Sequence, residues 1–275
     1  MPEYRRVTSV GSERVTAVRG LHSRQGRRKA GRFLVEGPQA VGSALAAGVP
    51  IHDLFVDEDA GGSLSGLVAE ADAAGTRITA VAPAVMRAMA ETAHPQGILA
   101  VCPLLPERDL DALMGSPEGP VVILEAVSDP GNVGTAIRTA DALGAAGVVL
   151  TPESADVHNG KVVRSTAGSL FHLPILSGRT VPEIVRSAHD HGRVVAVLTG
   201  DGDVDLFEAV RQGTLRGRTV WLVGSEAHGV SPEARRSADA CVRIPLRGQA
   251  ESLNAAVAAV VALSVAAYAA ASDSQ

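Results

Sequence analysis

A chain of 275 residues is long enough for about two domains, each able to bury a core, and with aromatic side chains at 3% that core must rest on Val, Leu, Ile and many Ala. A formal net charge of −5 excludes a molecule that is polycationic throughout, yet within residues 5–32 only Glu13 opposes Arg5, Arg6, Arg14, Arg19, Arg24, Arg27, Arg28, Lys29 and Arg32. So local a concentration suits a polyphosphate backbone, and Arg19, Arg24, Arg27, Arg28, Lys29 and Arg32 are candidate RNA contacts.

In chain order, a short helix is predicted over 15–23 within the basic segment. A strand follows over 31–37, then a helix over 41–47 closed by Gly48, a strand over 51–56 and a helix over 64–74 closed by Gly75. A strand over 78–81, a helix over 84–91 and a strand over 97–102 complete a small α/β domain over 1–105. Residues 106–118, with Pro106, Gly115 and Pro117, read as a linker carrying one helical turn over 110–114. A second domain over 119–275 opens with Val121-Val122-Ile123-Leu124, an apolar run typical of a buried parallel strand. A helix over 133–143 stops at Gly144. A strand over 148–150, a helix near 160–166, a strand over 173–176 and a helix over 182–191 follow. Strands over 194–198 and 220–223 flank a short helix near 206–211, and a strand over 242–244 precedes a final Ala-rich helix. The pattern predicts an α/β fold with an open, mostly parallel sheet and helices on both faces.

The run from Ser252 to Ser272 carries no charge, but it is Ala-rich with few Leu. It is expected to be a core or dimer-interface helix, with no membrane partner. The basic first thirty residues lack a long apolar stretch, so no signal peptide is predicted and the cytoplasm is the expected location. Cys102 and Cys241 have no CxxC spacing, which argues against a disulfide framework and a cysteine zinc site; no bound metal is expected.

Ligands of such sheets bind beyond the carboxyl ends of the strands, and three loops there follow strands directly: 198–202, 224–226 and 244–246. One motif, Asp129-Pro130-Gly131-Asn132-Val133-Gly134-Thr135-Ala136-Ile137-Arg138, joins a strand to a helix. Its spacing is GxxG rather than GxGxxG, and no ribose-binding acid stands at the expected distance, which disfavours a Rossmann dinucleotide site. Taken alone it reads as an Asn cap and a surface Arg. A second motif runs from Leu222 to Ser231 through Gly224-Ser225-Glu226; Ser231-Pro232-Glu233 looks like the next helix start, and His228 lacks a second metal ligand at useful spacing. In a third, Ile244-Pro245-Leu246 through Glu251-Ser252-Leu253-Asn254, Ser252 reads either as a helix N-cap or, with Asn254, as a group that positions a hydroxyl.

Together, in this order and at these strand ends, the three motifs resemble the SpoU family of the SPOUT methyltransferases, with a further match at Arg164-Ser165-Thr166-Ala167-Gly168-Ser169 and Leu173-Pro174. The likeness covers about 119–271. The N-terminal part is similar to the family's L30e-like substrate-binding domain through Phe33-Leu34-Val35-Glu36-Gly37 and Pro95-Gln96-Gly97-Ile98. The resemblance implies an α/β trefoil-knot domain beside a smaller L30e-like α/β domain, a homodimer, and transfer of a methyl group from S-adenosylmethionine to a ribose 2′-hydroxyl, with ribosomal RNA the preferred substrate. It implies that the cofactor lies on Leu198, Thr199, Gly200, Gly224, Ser225, Glu226, Ile244, Pro245, Leu246, Ser252 and Leu253. It also makes Asn132, Arg138, Glu226, Ser252 and Asn254 the catalytic set. In that set Arg138 binds the phosphate beside the target and stabilises a developing alkoxide, since a guanidinium with a pKa above ~12 is a poor base. Alternatives are a tRNA ribose or base methyltransferase of the same fold, or a non-catalytic RNA-binding protein of ribosome assembly; Ser252-Leu253-Asn254 favours ribose.

Overall fold

The computed structural model describes residues 4–117, 119–215, 217–225 and 227–272. The chain begins with β1 (Arg5–Val7), α1 (Glu13–Gly20), α2 (Arg24–Ala30), β2 (Arg32–Glu36), α3 (Pro38–Ala46), β3 (Asp53–Asp57), α4 (Ser65–Ala73), β4 (Ile78–Val81), α5 (Pro83–Met89) and β5 (Ile98–Pro103). It continues with α6 (Leu110–Met114), β6 (Val121–Glu125), α7 (Pro130–Ala142), β7 (Gly147–Leu150), α8 (Gly160–Ser165), β8 (Ile175–Ser177), α9 (Val181–Asp190) and β9 (Val194–Leu198). Last come β10 (Val204–Asp205), α10 (Leu206–Arg211), β11 (Thr219–Gly224), α11 (Pro232–Ser237), β12 (Ala240–Arg243) and α12 (Ala255–Ser272). These elements form two compact units. One runs to Pro106 and also takes Asp156–His172; the other holds Glu107–Ala155 and the chain from Leu173 onward.

The first unit has a mixed sheet in the order β1-β4-β3-β5-β2, with β5 antiparallel to both of its neighbours. Its core gathers Val15, Val18 and Leu21 against Val85, Met86 and Met89, with Leu34, Phe55, Leu99 and Val101 from the sheet. The single helix expected over 15–23 is instead two. Ser23, in an extended conformation, caps α2 by accepting from Gly26 N at 3.0 Å, so the chain turns and restarts. That corner needs glycine at 26, where a Cβ would lie 1.8 Å from Gly20 O. The segment Asp156–His172 joins this unit through Arg27, which is only 3% exposed and donates to Asp156 Oδ2 at 2.6 Å and to the carbonyls of Leu21 and His22. Burial by itself would raise the Asp156 carboxyl, but hydrogen bonds from His158 and Arg27 outweigh it and hold it well below the usual carboxylate range.

The second unit has a parallel sheet of seven strands, ordered β10-β12-β9-β11-β6-β7-β8. Alternation of side chains sorts its apolar strands into two faces. Val121, Ile123, Val195, Val197, Val220 and Leu222 pack with Ile184, Val185 and Ala188 of α9. Val122, Leu124, Ala196 and Trp221, one residue out of step, are also buried. On α12, Ala256, Ala259, Leu263 and Ala266 are buried, and the helix packs on β11 and α7. The predicted linker is partly built into this core: Leu113 and Met114 belong to it, and buried Arg193 donates to Met114 O, Ser116 O and Gly119 O at 2.7, 2.9 and 2.9 Å. The strand expected over 242–244 is found at 240–243. It ends before Pro245, which has no N–H to offer a ladder, and the chain there leaves the sheet. Among the described residues no helix is long and apolar enough to cross a membrane, and no group of His, Cys, Asp or Glu is placed to hold a metal ion.

Candidate functional site

The loops after β9, β11 and β12 close around a cavity of about 540 Å³ at the carboxyl edge of the parallel sheet. Its wall includes Leu198, Thr199 and Gly200, then Gly224 and Ser225, then Ile244, Pro245 and Leu246, then Ser252 and Leu253. Every described residue expected at the cofactor is thus brought to one concavity, although these residues are spread from Leu198 to Leu253. Glu226, expected both there and in catalysis, lies outside the described residues. The reading of motifs missed Val223, Val242, Arg243, Ala255 and Ala258 in the same wall. Ala255 and Ala258 stand three apart at the start of α12, so helical spacing after Asn254 is the signal that would have found them.

Local geometry explains why the wall has this shape. Gly224 ends β11 where the following loop folds back: Ser225 bridges Gly229, whose N–H donates to Ser225 O at 2.8 Å. A Cβ on Gly224 would meet Gly229 O at 2.1 Å, so no other residue fits there. On the opposite rim Thr199 Oγ1 donates to Asp201 Oδ1 at 2.6 Å, and Arg235 grips both Asp201 oxygens at 2.9 and 3.0 Å. The Arg235 guanidinium, helped by the Thr199 hydroxyl, holds the Asp201 carboxyl down at about 2. The loop that carries Thr199 and Gly200 is therefore anchored by a charge-assisted pair.

Asn132 and Asn254 meet, from the start of α7 and the residue before α12. Asn254 Nδ2 donates to Asn132 Oδ1 at 3.0 Å. Asn254 Oδ1 accepts from the N–H groups of Ala256 and Val257 at 3.0 and 3.3 Å. The helix cap therefore determines which end of the Asn254 amide faces Asn132, and in turn which end of Asn132 faces Asn254. The cap is Asn254 and not Ser252, because the helix starts at Ala255; Ser252 is instead an exposed part of the cavity wall. Asp129 caps α7 by accepting from Asn132 N at 3.0 Å. Just upstream, Ala126 adopts φ +52°, which L residues rarely do, and its N–H donates to Thr151 Oγ1 at 3.0 Å.

Arg138 stands apart from that pair. Six residues beyond Asn132 on a helix of 3.6 per turn, it falls about 120° around α7, on the exposed side with Thr135 and Ala142. Among the described residues it has no hydrogen-bond or ion-pair partner. No described member of the expected catalytic set orients it.

The basic N-terminal candidates divide. Arg19, Arg24, Arg28 and Lys29 are exposed, and Arg24, Arg28 and Lys29 line one shallow concavity on α2; Arg32 is half-buried. Arg27 is a correction: buried, with its donors committed to Asp156, Leu21 and His22, it holds the unit together and cannot reach a phosphate. Net charge alone cannot separate such an arginine from its neighbours on the next turn.

Comparison with known proteins gives a consistent picture. The profile described as SpoU rRNA Methylase family matches residues 119–264, and that described as MRM3-like substrate binding domain matches 12–100. The chain is 33% identical over 258 residues to the 23S rRNA (guanosine(2553)-2′-O)-methyltransferase RlmP of Bacillus subtilis, with 94% of this chain and 97% of that protein covered. It is 34% identical over 269 residues to the 23S rRNA (uridine(2479)-2′-O)-methyltransferase of Streptomyces viridochromogenes, covering 95% and 91%. Among solved structures, an AdoMet-bound rRNA methyltransferase from Sinorhizobium meliloti superposes with a TM-score of 0.84 at 31% identity, over 96% of this chain and 97% of that one.

Proposed function

Because the chain belongs to the SpoU rRNA methylase family, we propose that it transfers a methyl group from S-adenosylmethionine to a ribose 2′-hydroxyl of ribosomal RNA. The observation that carries this reading is the convergence of three distant loops on one cavity beside the Asn132–Asn254 pair. The cavity suits the cofactor in chemistry. Its wall mixes backbone donors and acceptors from the turns at Gly200, Gly224 and Leu246 with an apolar surface from Leu198, Val223, Leu253, Ala255 and Ala258. When bound there, S-adenosylmethionine supplies an electrophilic methyl group on a sulfonium.

The protein's own part is to align the attacking oxygen and manage one proton. Asn132 and Asn254, locked together by the α12 cap, position the target ribose. Ser252 adds a hydroxyl to the cavity wall, and the family likeness assigns Glu226 a part in the same reaction. Arg138 binds the adjacent phosphate and stabilises the alkoxide as it forms; its exposure and lack of a partner among the described residues support a role toward a ligand. The exposed basic side chains Arg19, Arg24, Arg28 and Lys29, with the half-buried Arg32, supply backbone contacts in a substrate-binding domain over 1–105, joined by 106–118 to the methyltransferase domain over 119–275. The family likeness further supports a trefoil knot in the latter domain. A homodimer is supported by α12, whose exposed side carries Val257, Ser264 and Tyr268 in a run without charge. A ribosomal RNA substrate carries with it a cytoplasmic location.

The direct test incubates the protein with methyl-tritiated S-adenosylmethionine and 23S ribosomal RNA, then maps 2′-O-methyl positions. Incorporation at one ribose is expected. Calorimetric binding of the cofactor without transfer to any ribosomal or transfer RNA would overturn the enzymatic reading in favour of a binding protein.

A further inference from the structure

The first unit holds a cavity of its own, of about 300 Å³, whose lining shares no residue with the strand-end cavity. Its lining gathers three sequence motifs that the proposed reaction leaves unexplained: Glu36-Gly37 at the end of β2, Pro95-Gln96 and Ile98 at the start of β5, and Arg164 with Ala167 at α8. The floor is apolar and closed, formed by Ala40, Met86 and Ile98 at 4%, 0% and 1% exposure. The rim is polar: Gln39, His94 and Gln96 are exposed and Thr92 half-buried, and none has a side-chain hydrogen bond among the described residues. Gln96 Oε1 lies so close over Gly37 that a Cβ there would stand 2.7 Å from it. Ala167 completes the wall at φ +51°, a conformation retained only where the surroundings enforce it.

Charge selects among ligands. Arg164, the one Arg or Lys among the described lining residues, is already committed, with Nη1 at 3.0 Å from Glu36 Oε2 and 3.2 Å from Glu91 Oε2. With that guanidinium satisfied by Glu36 of the lining and by Glu91 beside it, the described lining keeps no uncommitted Arg or Lys to take a phosphate. A flat, neutral group with hydrogen-bonding edges fits an apolar floor under an amide, a hydroxyl and an imidazole, and the volume lies at the small end of the ~300–1,000 Å³ usual for ligand sites. We infer that this cavity takes one unstacked nucleobase of the RNA substrate, gripped at its edge by Gln96 and Thr92. The identity of the ligand as RNA rests on the methyltransferase reading; the neutrality and size of the ligand do not.

The test measures, by fluorescence anisotropy on the full chain, the affinity for hexauridylate, hexacytidylate and hexaadenylate and for an abasic ribose-phosphate hexamer. At least one base-bearing hexamer should bind about 10-fold tighter than the abasic one, about 1.4 kcal/mol. Gln96→Ala should reduce that preference to within about twofold without altering the salt dependence. Thr92→Val, which keeps the volume, gives the same readout should Gln96→Ala fail to fold. Equal binding of the abasic hexamer by the wild type, or an undiminished base preference in a folded variant, would overturn the inference. Methyl transfer by the wild type, measured in parallel, separates the readings. Transfer without base preference removes the cavity's role alone, whereas base preference without transfer to any RNA removes the enzymatic reading alone.

Discussion

Asn254 has two jobs that substitution can separate. Its Oδ1 caps α12 and its Nδ2 holds Asn132. Asn254→Asp keeps an acceptor for the cap but places a carboxylate where the donor was, so helix content by circular dichroism should be unchanged while methyl transfer falls on the order of 10²-fold. Asn254→Ala should lose both, with about 1 kcal/mol of stability from the cap. Equal activity in Asn254→Asp and wild type would remove the amide from the mechanism. Arg138 is exposed and structurally uncommitted, so Arg138→Ala should leave the urea midpoint within error and abolish transfer in a tritiated-methyl assay. Near-full activity there would leave the residue without the role proposed. The sequence alone pointed to both asparagines, but it also allowed a bland reading of each, Asn132 as a helix cap and Asn254 as a polar residue after a Ser252 cap. Their hydrogen bond joins two residues 122 positions apart, each at a helix start, which no local pattern can report.

At the level of elements, the fastening of Asp156–His172 to the first unit has a pH signature. The Asp156 carboxyl is held below its unfolded value of ~3.9, so its contribution is fully present above about pH 4 and is lost as pH falls toward the folded value. Asp156→Asn should therefore be less stable than the wild type at pH 7 but lose less further stability between pH 4 and 2, measured as the change in urea midpoint. Parallel slopes for the two proteins would count against this coupling. Arg27→Ala should cost about 3–5 kcal/mol, because it strands a partly buried carboxylate. The alternation of strands and helices was legible because buried parallel strands are apolar throughout and glycines close the helices. The break between α1 and α2 was not: it depends on Ser23 adopting an extended backbone and on Gly26 approaching Gly20 O, a contact between turns.

For the whole molecule, the acidic net charge and the basic α2 surface predict a salt-dependent attachment to RNA carried by few side chains. Replacing Arg24, Arg28 and Lys29 with Ala should weaken binding of ribosomal RNA and flatten its slope against log salt by about 0.7–0.9 per lost phosphate contact, with cofactor affinity unchanged. An unaltered slope would place RNA elsewhere. The uncharged face of α12 predicts self-association, so Val257→Glu should give a monomer in sedimentation velocity where the wild type sediments as a dimer; a wild-type monomer would remove that proposal. Composition and motif order by themselves determined the α/β class, the strand-end loops of the cavity and the family likeness, because hydrophobic periodicity and turn residues act over a few positions. Only the tertiary structure decided that Arg27 is a buried anchor, that Asn254 rather than Ser252 caps α12, and that Glu36, Gln96 and Arg164 surround one cavity. Burial and hydrogen-bond partnership are properties of chain segments far apart in sequence, and they exist only once those segments are packed.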